Sequence, residues 1–201
     1  MKNNISSQAN IKIEGLVKII DLTSDRIIFE GHNDVNPEAM SYIIAQMLQG
    51  NNGQYIYQMC FGSGGTVIDE TGNVTYKNVE ENVNTGLVAD LYAPIMVSPT
   101  LPFYKVVDEN DTVNNSNPLK NNIEVVHLDG LPYTDIIIQC TLEEEEPAAF
   151  SGELIFDELG LKSRGVESID KGYLLSHIVF DPVEKDIGRV IQVIYTLRVR
   201  F

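Results

Sequence analysis

The last twelve residues, 190–201, restrict the fold more than any other segment. Ile191, Val193, Tyr195, Leu197, Val199 and Phe201 share one parity, while Gln192, Thr196, Arg198 and Arg200 share the other. A period of two places these sets on opposite faces of an extended strand, and a strand of about twelve residues is long. One face has to be buried, and a one-residue slip would turn every apolar side chain to water. The chain must therefore build a sheet with a covered face.

The segments before it follow the same grammar. Residues 11–20 and 27–30 are β-branched runs flanking residues 21–26, whose Asp, Thr and Ser suit a turn, so a hairpin is expected. Further strands are expected at residues 54–61, 66–69, 73–76, 86–97, 123–127, 134–142, 153–158 and 173–180. Pro99 and Pro102 should force an irregular, extended passage. The acidic run 143–146, ended by Pro147, reads as a turn or a solvated strand end.

One stretch breaks the period. Asn36, Pro37 and Glu38 supply an N-cap, a proline at the first helical position and an acid in the first turn. Met40, Ile43, Ile44, Met47 and Leu48 then recur at helical spacing, with Gly50 where a C-cap belongs. A single apolar stripe implies a helix lying on a sheet with its other face in water. The expected fold is mainly β with one amphipathic helix: an antiparallel β-sandwich or sheet with the helix 37–49 packed on it. It forms one domain over residues 1–201, and the Asn- and Asp-rich residues 105–122 are an exposed loop insertion.

Net charge narrows the partners. It is −15, with 5 basic and 11 acidic residues in positions 1–100 and 9 against 18 in the remainder, so neither half offers a basic footprint. Such a surface repels phosphate backbones and anionic lipid, and neither nucleic acid nor membrane is expected as a partner. No secretory leader is read in residues 1–8, which lack an apolar stretch, and no run approaches the roughly 20 apolar residues of a membrane span. Cys60 and Cys140 sit inside apolar runs and are expected as buried free thiols.

No chemical motif is complete. His32, His127 and His177 are scattered, with no second nitrogen or sulfur ligand at short spacing, so each reads as a satisfied strand-end residue. Residues 62–66, Gly-Ser-Gly-Gly-Thr, follow a strand, where phosphate loops sit. They lack the Gly-Lys-Ser/Thr ending, and Ser63 lacks the setting of a nucleophile elbow. A glycine turn with positive φ is expected instead. Asp108 with Asn110 and Thr112, and Asp69 with Asn73, are oxygen-rich enough for calcium, but neither has the glycine and terminal Glu of an EF-hand, so solvated loops are expected. No catalytic, cofactor or metal residue is assigned, and no cofactor is expected. Arg189, Arg198 and Arg200 concentrate positive charge near the end of an acidic chain. Arg198 and Arg200 are the candidate assembly residues, set to meet the acidic surface of a neighbouring subunit; cross-strand pairing with acids of the same chain is the competing reading.

Three segments resemble bacteriophage virion structural proteins of the neck, collar and tail, of the fibre- or baseplate-attachment type. The helix around Ala39 to Leu48 followed by residues 55–66 is similar to their helix, strand and Gly-Ser/Thr-Gly-Gly-Thr opening. Residues 154–161, Leu-Ile-Phe-Asp-Glu-Leu-Gly-Leu, are similar to their Glu-Ile-Gly-Leu segment. Residues 176–183 with 193–199 resemble their closing hairpin ending in Tyr-Thr-Leu. The long loop 105–122 departs from the family pattern. The resemblance implies a non-enzymatic virion subunit, made in the host cytoplasm, whose partners are other copies of itself and neighbouring virion proteins. Its work would lie in strand edges, loops and termini that join rings of subunits. A capsid decoration or head-fibre-anchoring protein is the nearest alternative. A carbohydrate-recognising sandwich for host attachment is another; it would need Tyr55, Tyr57, Tyr92, Tyr104 or Tyr133 exposed in a groove.

Overall fold

A computed structural model describes residues 10–50, 54–77, 90–165 and 172–200. In chain order the strands are β1 (Lys12–Asp21), β2 (Arg26–Val35), β3 (Ile56–Gly62), β4 (Thr66–Ile68), β5 (Val74–Tyr76), β6 (Met96–Ser98), β7 (Leu101–Pro102), β8 (Tyr104–Val106), β9 (Asn122–Val126), β10 (Tyr133–Leu142), β11 (Leu154–Ser163), β12 (Leu174–Lys185) and β13 (Ile191–Arg200), with helix α1 (Pro37–Leu48) after β2.

Nine strands hydrogen-bond in the order β8-β3-β11-β12-β2-β1-β13-β10-β9, every pair antiparallel. Strand β2 joins the two leaves of this sheet. Its first eight residues lie in the segment paired with β1, and its last two, Asp34 and Val35, pair with β12. Folded at that join, the leaves pack as a sandwich whose apolar core draws on both. Val17, Ile19, Val193, Tyr195 and Leu197 come from one leaf; Met59, Phe61, Leu159, Leu161 and Ile178 come from the other.

The closing segment is an interior strand. β13 runs between β1 and β10, and its alternation is visible as burial of Ile191, Val193, Tyr195 and Leu197 with half-exposed residues between. Its covering is the opposite leaf of the same chain.

The helix carries the expected caps. Asn36 Oδ1 accepts from Ala39 N at 3.1 Å, Pro37 opens the first turn, and Gly50 takes φ +88° just past the last turn. Replacing Asn36 by Ala orphans a buried amide and should cost about 1 kcal/mol, read as a lower urea midpoint with unchanged slope. The stripe itself needs correction. Ala39, Met40 and Ile43 are buried, but Met47 is 56% and Leu48 85% exposed. Only the first turns lie on β12, where Asn36 N also donates to Leu175 O at 2.8 Å, and the last turn overhangs.

The loop at 105–122 differs more. Lys105 and Val106 belong to β8 on the sheet edge, and Val107, Asp108, Asn115 and Asn121 are buried. Asn115 Nδ2 donates to Asp108 O at 3.1 Å and to Asn121 O at 2.8 Å, while Asn121 Oδ1 accepts from Thr141 N at 2.9 Å. Asparagines that read as solvated act here as buried cross-links, and exposure is marked at tips such as Val113 and Leu119. Of the strand expected at residues 86–97, positions 86–89 lie outside the described residues, 90–95 are irregular, and Met96 starts a short hairpin with β7 that turns at Pro99 and Thr100.

Candidate functional site

The glycine loop does bind an anion, and the anion belongs to the chain itself. Gly65 N and Thr66 N donate to the two carboxylate oxygens of Asp157 at 2.9 and 2.8 Å, and Thr66 Oγ1 adds a third bond. Gly64 N donates to Glu158 Oε1 at 3.1 Å. The positive-φ glycines among the described residues are Gly50, Gly72, Gly130, Gly152 and Gly188, so the left-handed turn expected at 62–66 is not formed. These glycines are needed for space. A Cβ on Gly62 would sit 2.3 Å from Glu158 Oε1, and one on Gly65 would sit 2.7 Å from a methyl of Val179.

Glu158 holds more than the loop. It is fully buried, and its carboxylate also accepts from Ala93 N at 2.8 Å, Tyr92 N at 2.9 Å and His177 Nε2 at 2.8 Å. Burial pushes its carboxyl up, but the bonds from His177, Ala93 and Tyr92 outweigh this and hold it below the ordinary carboxylate value. His177 is 3% exposed in mid-strand, under the Tyr92 ring at 5.2 Å between centroids, and its Nδ1 has no hydrogen-bond partner among the described residues. The strand-end reading therefore fails for His177. It fits His127, whose Nδ1 meets Thr134 Oγ1 at 2.9 Å just past β9.

This polar row lies on the face of β3, β11 and β12 away from the main core, under residues 90–95. Gly62, Glu158 and Val179 are in register there, as are Cys60, Gly160 and His177. Leu91 and Leu174 occupy the space above Gly160, at 2.9 and 2.7 Å from where its Cβ would stand. Asp90 pins the same segment to the buried Lys162 at 2.6 Å. The arrangement clamps two loops onto a sheet: the amides of residues 64–66 and 92–93 find carboxylate oxygens of Asp157 and Glu158. Both cysteines are free and buried, and burial pushes their thiols up to about 12.

A second polar knot was equally hidden in the sequence. Lys185 is fully buried, and its ammonium donates to the carbonyls of Glu144, Gly152 and Asp186 at 3.0, 3.1 and 3.3 Å. It ties together three turns around the acidic run. The signal that could have found both knots is the same: a charged residue of an apolar strand, Glu158 among Phe156, Leu159 and Leu161, and Lys185 two residues after Val183.

The candidate assembly residues have partners in their own sheet. Arg198 makes a bidentate bridge to Asp135 of β10, with 2.7 Å from Nε and 2.6 Å from Nη2. Its guanidinium stands 4.0 Å from the centre of the Tyr133 ring. Arg200 reaches Glu14 of β1 at 3.0 Å. Both arginines thus pair across strands with acids of the same chain, and Arg200 stays partly exposed.

The other candidates separate. Asp69 accepts from the amides of Thr71 and Asn73 at 2.8 and 2.9 Å, closing the β4–β5 hairpin, and Asp108 accepts from Tyr55 Oη at 2.7 Å and Asn110 N at 2.9 Å. Their carboxylates cap their own loops. Among the described residues no group of three or more His, Cys, Asp or Glu is placed to hold a metal ion, and no helix is long and apolar enough to cross a membrane. Tyr57 is buried and bonded to Asp111, Tyr55, Tyr92, Tyr104 and Tyr133 are half-buried, and Tyr133 stands with the arginines, apart from the rest. No family model, curated protein or solved structure matches the chain.

Proposed function

We propose that the chain is a non-enzymatic structural subunit of a bacteriophage virion, in the neck, collar or tail, acting through contacts between subunits. One observation carries this reading: large apolar side chains stand in water at both ends of the sandwich, taken along β13. Ile11, Leu48, Val125 and Leu128 are exposed around the end where β13 finishes, and Ile155 and Ile187 around the end where it begins. Exposed apolar side chains gathered at an edge rimmed by charge are what a contact surface requires. The three segments that resemble virion proteins add support, since residues 55–66 and 154–161 supply β3 and β11, neighbours in the sheet. The charged clusters of the interior are engaged with the chain's own loops, which suits a rigid block. Quantitative mass spectrometry of purified particles tests the proposal. The chain should be present at a constant ratio to the other structural proteins, and its absence would refute it.

A further inference from the structure

The two ends of the sandwich, taken along β13, differ in charge as well as position. In the Arg200 end, Tyr133, Arg200 and Lys12 lie side by side in register on β10, β13 and β1. Glu14 is shared there by two cations, Lys12 Nζ at 2.6 Å and Arg200 Nη2 at 3.0 Å, so one carboxylate answers two positive charges. Both cations remain accessible, with side chains 71% and 44% exposed. Apolar neighbours flank them: Ile11, which lines a groove of about 460 Å³ with Leu48 and Ile44, and Leu128 beyond Tyr133. Arginine and tyrosine are residue types enriched at interface centres.

The opposite end, a ten-residue strand away, or about 33 Å at strand rise, is the reverse. Lys185 gathers the turns at 144, 152 and 186, and this brings Glu144, Glu145, Glu153, Glu184 and Asp186 to one surface. All five are exposed and none has a salt-bridge partner among the described residues. The cation that gathers them is itself buried, and Arg189, which donates to Glu184 O, is paired with Asp21, so the surface stays acidic. Ile155, opposite Glu184 in the β11–β12 register, and Ile187 supply its exposed apolar centre.

We infer that a second copy of this chain docks head to tail, its acidic Lys185 end seated on the Tyr133–Arg200–Lys12 end of its neighbour. The inference rests on the assembly reading and names the partner and both surfaces. Self-pairing of either end is disfavoured: acidic ends repel, and two Lys12–Arg200 patches would set like charges against each other. A contact between different patches is heterologous, so it repeats from copy to copy and yields a closed ring or an open filament.

Sedimentation velocity on the purified full chain tests this with two charge reversals. One variant carries Lys12→Glu with Arg200→Glu; the other carries Glu144→Lys with Glu153→Lys, all at exposed positions, with circular dichroism to confirm the fold. Wild-type chain should self-associate, and each variant alone should associate at least about tenfold more weakly, the weakening shrinking in about 0.5 M salt. Mixing the two variants should restore association, because the intact acidic end of one meets the intact cationic end of the other and the two reversed ends are again opposite in charge. A variant that fails to fold is replaced by its milder form, Arg200→Gln or Glu144→Gln, held to the same criterion. A wild-type chain that stays monomeric, or variants that associate as wild type does, overturn the inference. Neither result bears on whether the chain is in the particle, which mass spectrometry of virions decides separately.

Discussion

Deleting residues 195–201 should abolish the soluble fold. Tyr195 and Leu197 are buried at 0% and 1% exposure in the middle of the core, and truncating one side chain of that kind costs about 2–5 kcal/mol. The deletion also strips a partner from two strands at once. β1 loses the pairing that runs from Lys12↔Arg200 to Val17↔Tyr195, and β10 loses Tyr133↔Arg200 to Ile138↔Tyr195. The total exceeds the 5–15 kcal/mol by which domains of this size are stable. The deleted chain should appear in the insoluble fraction, or as a soluble product without a cooperative unfolding transition. A soluble product that unfolds cooperatively would mean that β13 is dispensable and the core is drawn wrongly.

Glu158→Gln should be strongly destabilising although it is isosteric. The amide keeps the shape and loses the charge, and its NH2 group presents donors to a pocket already lined by donors: Gly64 N, Tyr92 N, Ala93 N and His177 Nε2. Leaving buried donors against a donor costs about 3 kcal/mol or more. The sign with pH follows from the depressed carboxyl. Stability from Glu158 is complete above the ordinary value of 4.5 and is lost as pH falls through the lower value it has in the fold. Urea unfolding from neutral to acid pH should therefore show the variant weakened at neutral pH and the gap closing in acid. An equal deficit at every pH would mean that the carboxylate charge is not what holds residues 62–66 and 90–93.

These two regions show what the sequence makes legible. Strand β13 was readable because alternation is local: six apolar residues of one parity require a covered face wherever the strand lies. Its neighbours were not readable, since β1 pairs with it from 170 to 188 positions away and nothing in either segment names the other. The helix caps were readable for the same local reason, whereas the exposure of Met47 and Leu48 depends on tertiary packing that covers only the first turns. Residues 62–66 read as glycines freed for φ, and the real constraint is Glu158, nearly a hundred residues on, occupying the place of a Cβ. Asn115 and Asn121 failed in the opposite sense. Composition marks asparagine as solvated, but here amides, buried and paired, stitch the loop to β10. His177 was missed because a lone histidine carries no signal until its partner, on the neighbouring strand, is known.

The assembly residues show the same limit in another form. Arg198 and Arg200 were singled out by charge, and the sheet supplied intramolecular partners for both. Arg198 is bound in two places to Asp135, so reversing it would damage the fold, and Arg200 with Lys12 is the cleaner probe of a contact.

The central claim, a structural subunit in the neck, collar or tail, is tested most directly by locating the chain on the particle. Antibody fragments raised against the exposed loop tips Val113 and Leu119 and imaged on purified virions by electron microscopy would do so. The account predicts labels confined to the neck or tail, in a ring of constant number. Labels spread over the capsid lattice, or none on any particle, would contradict it.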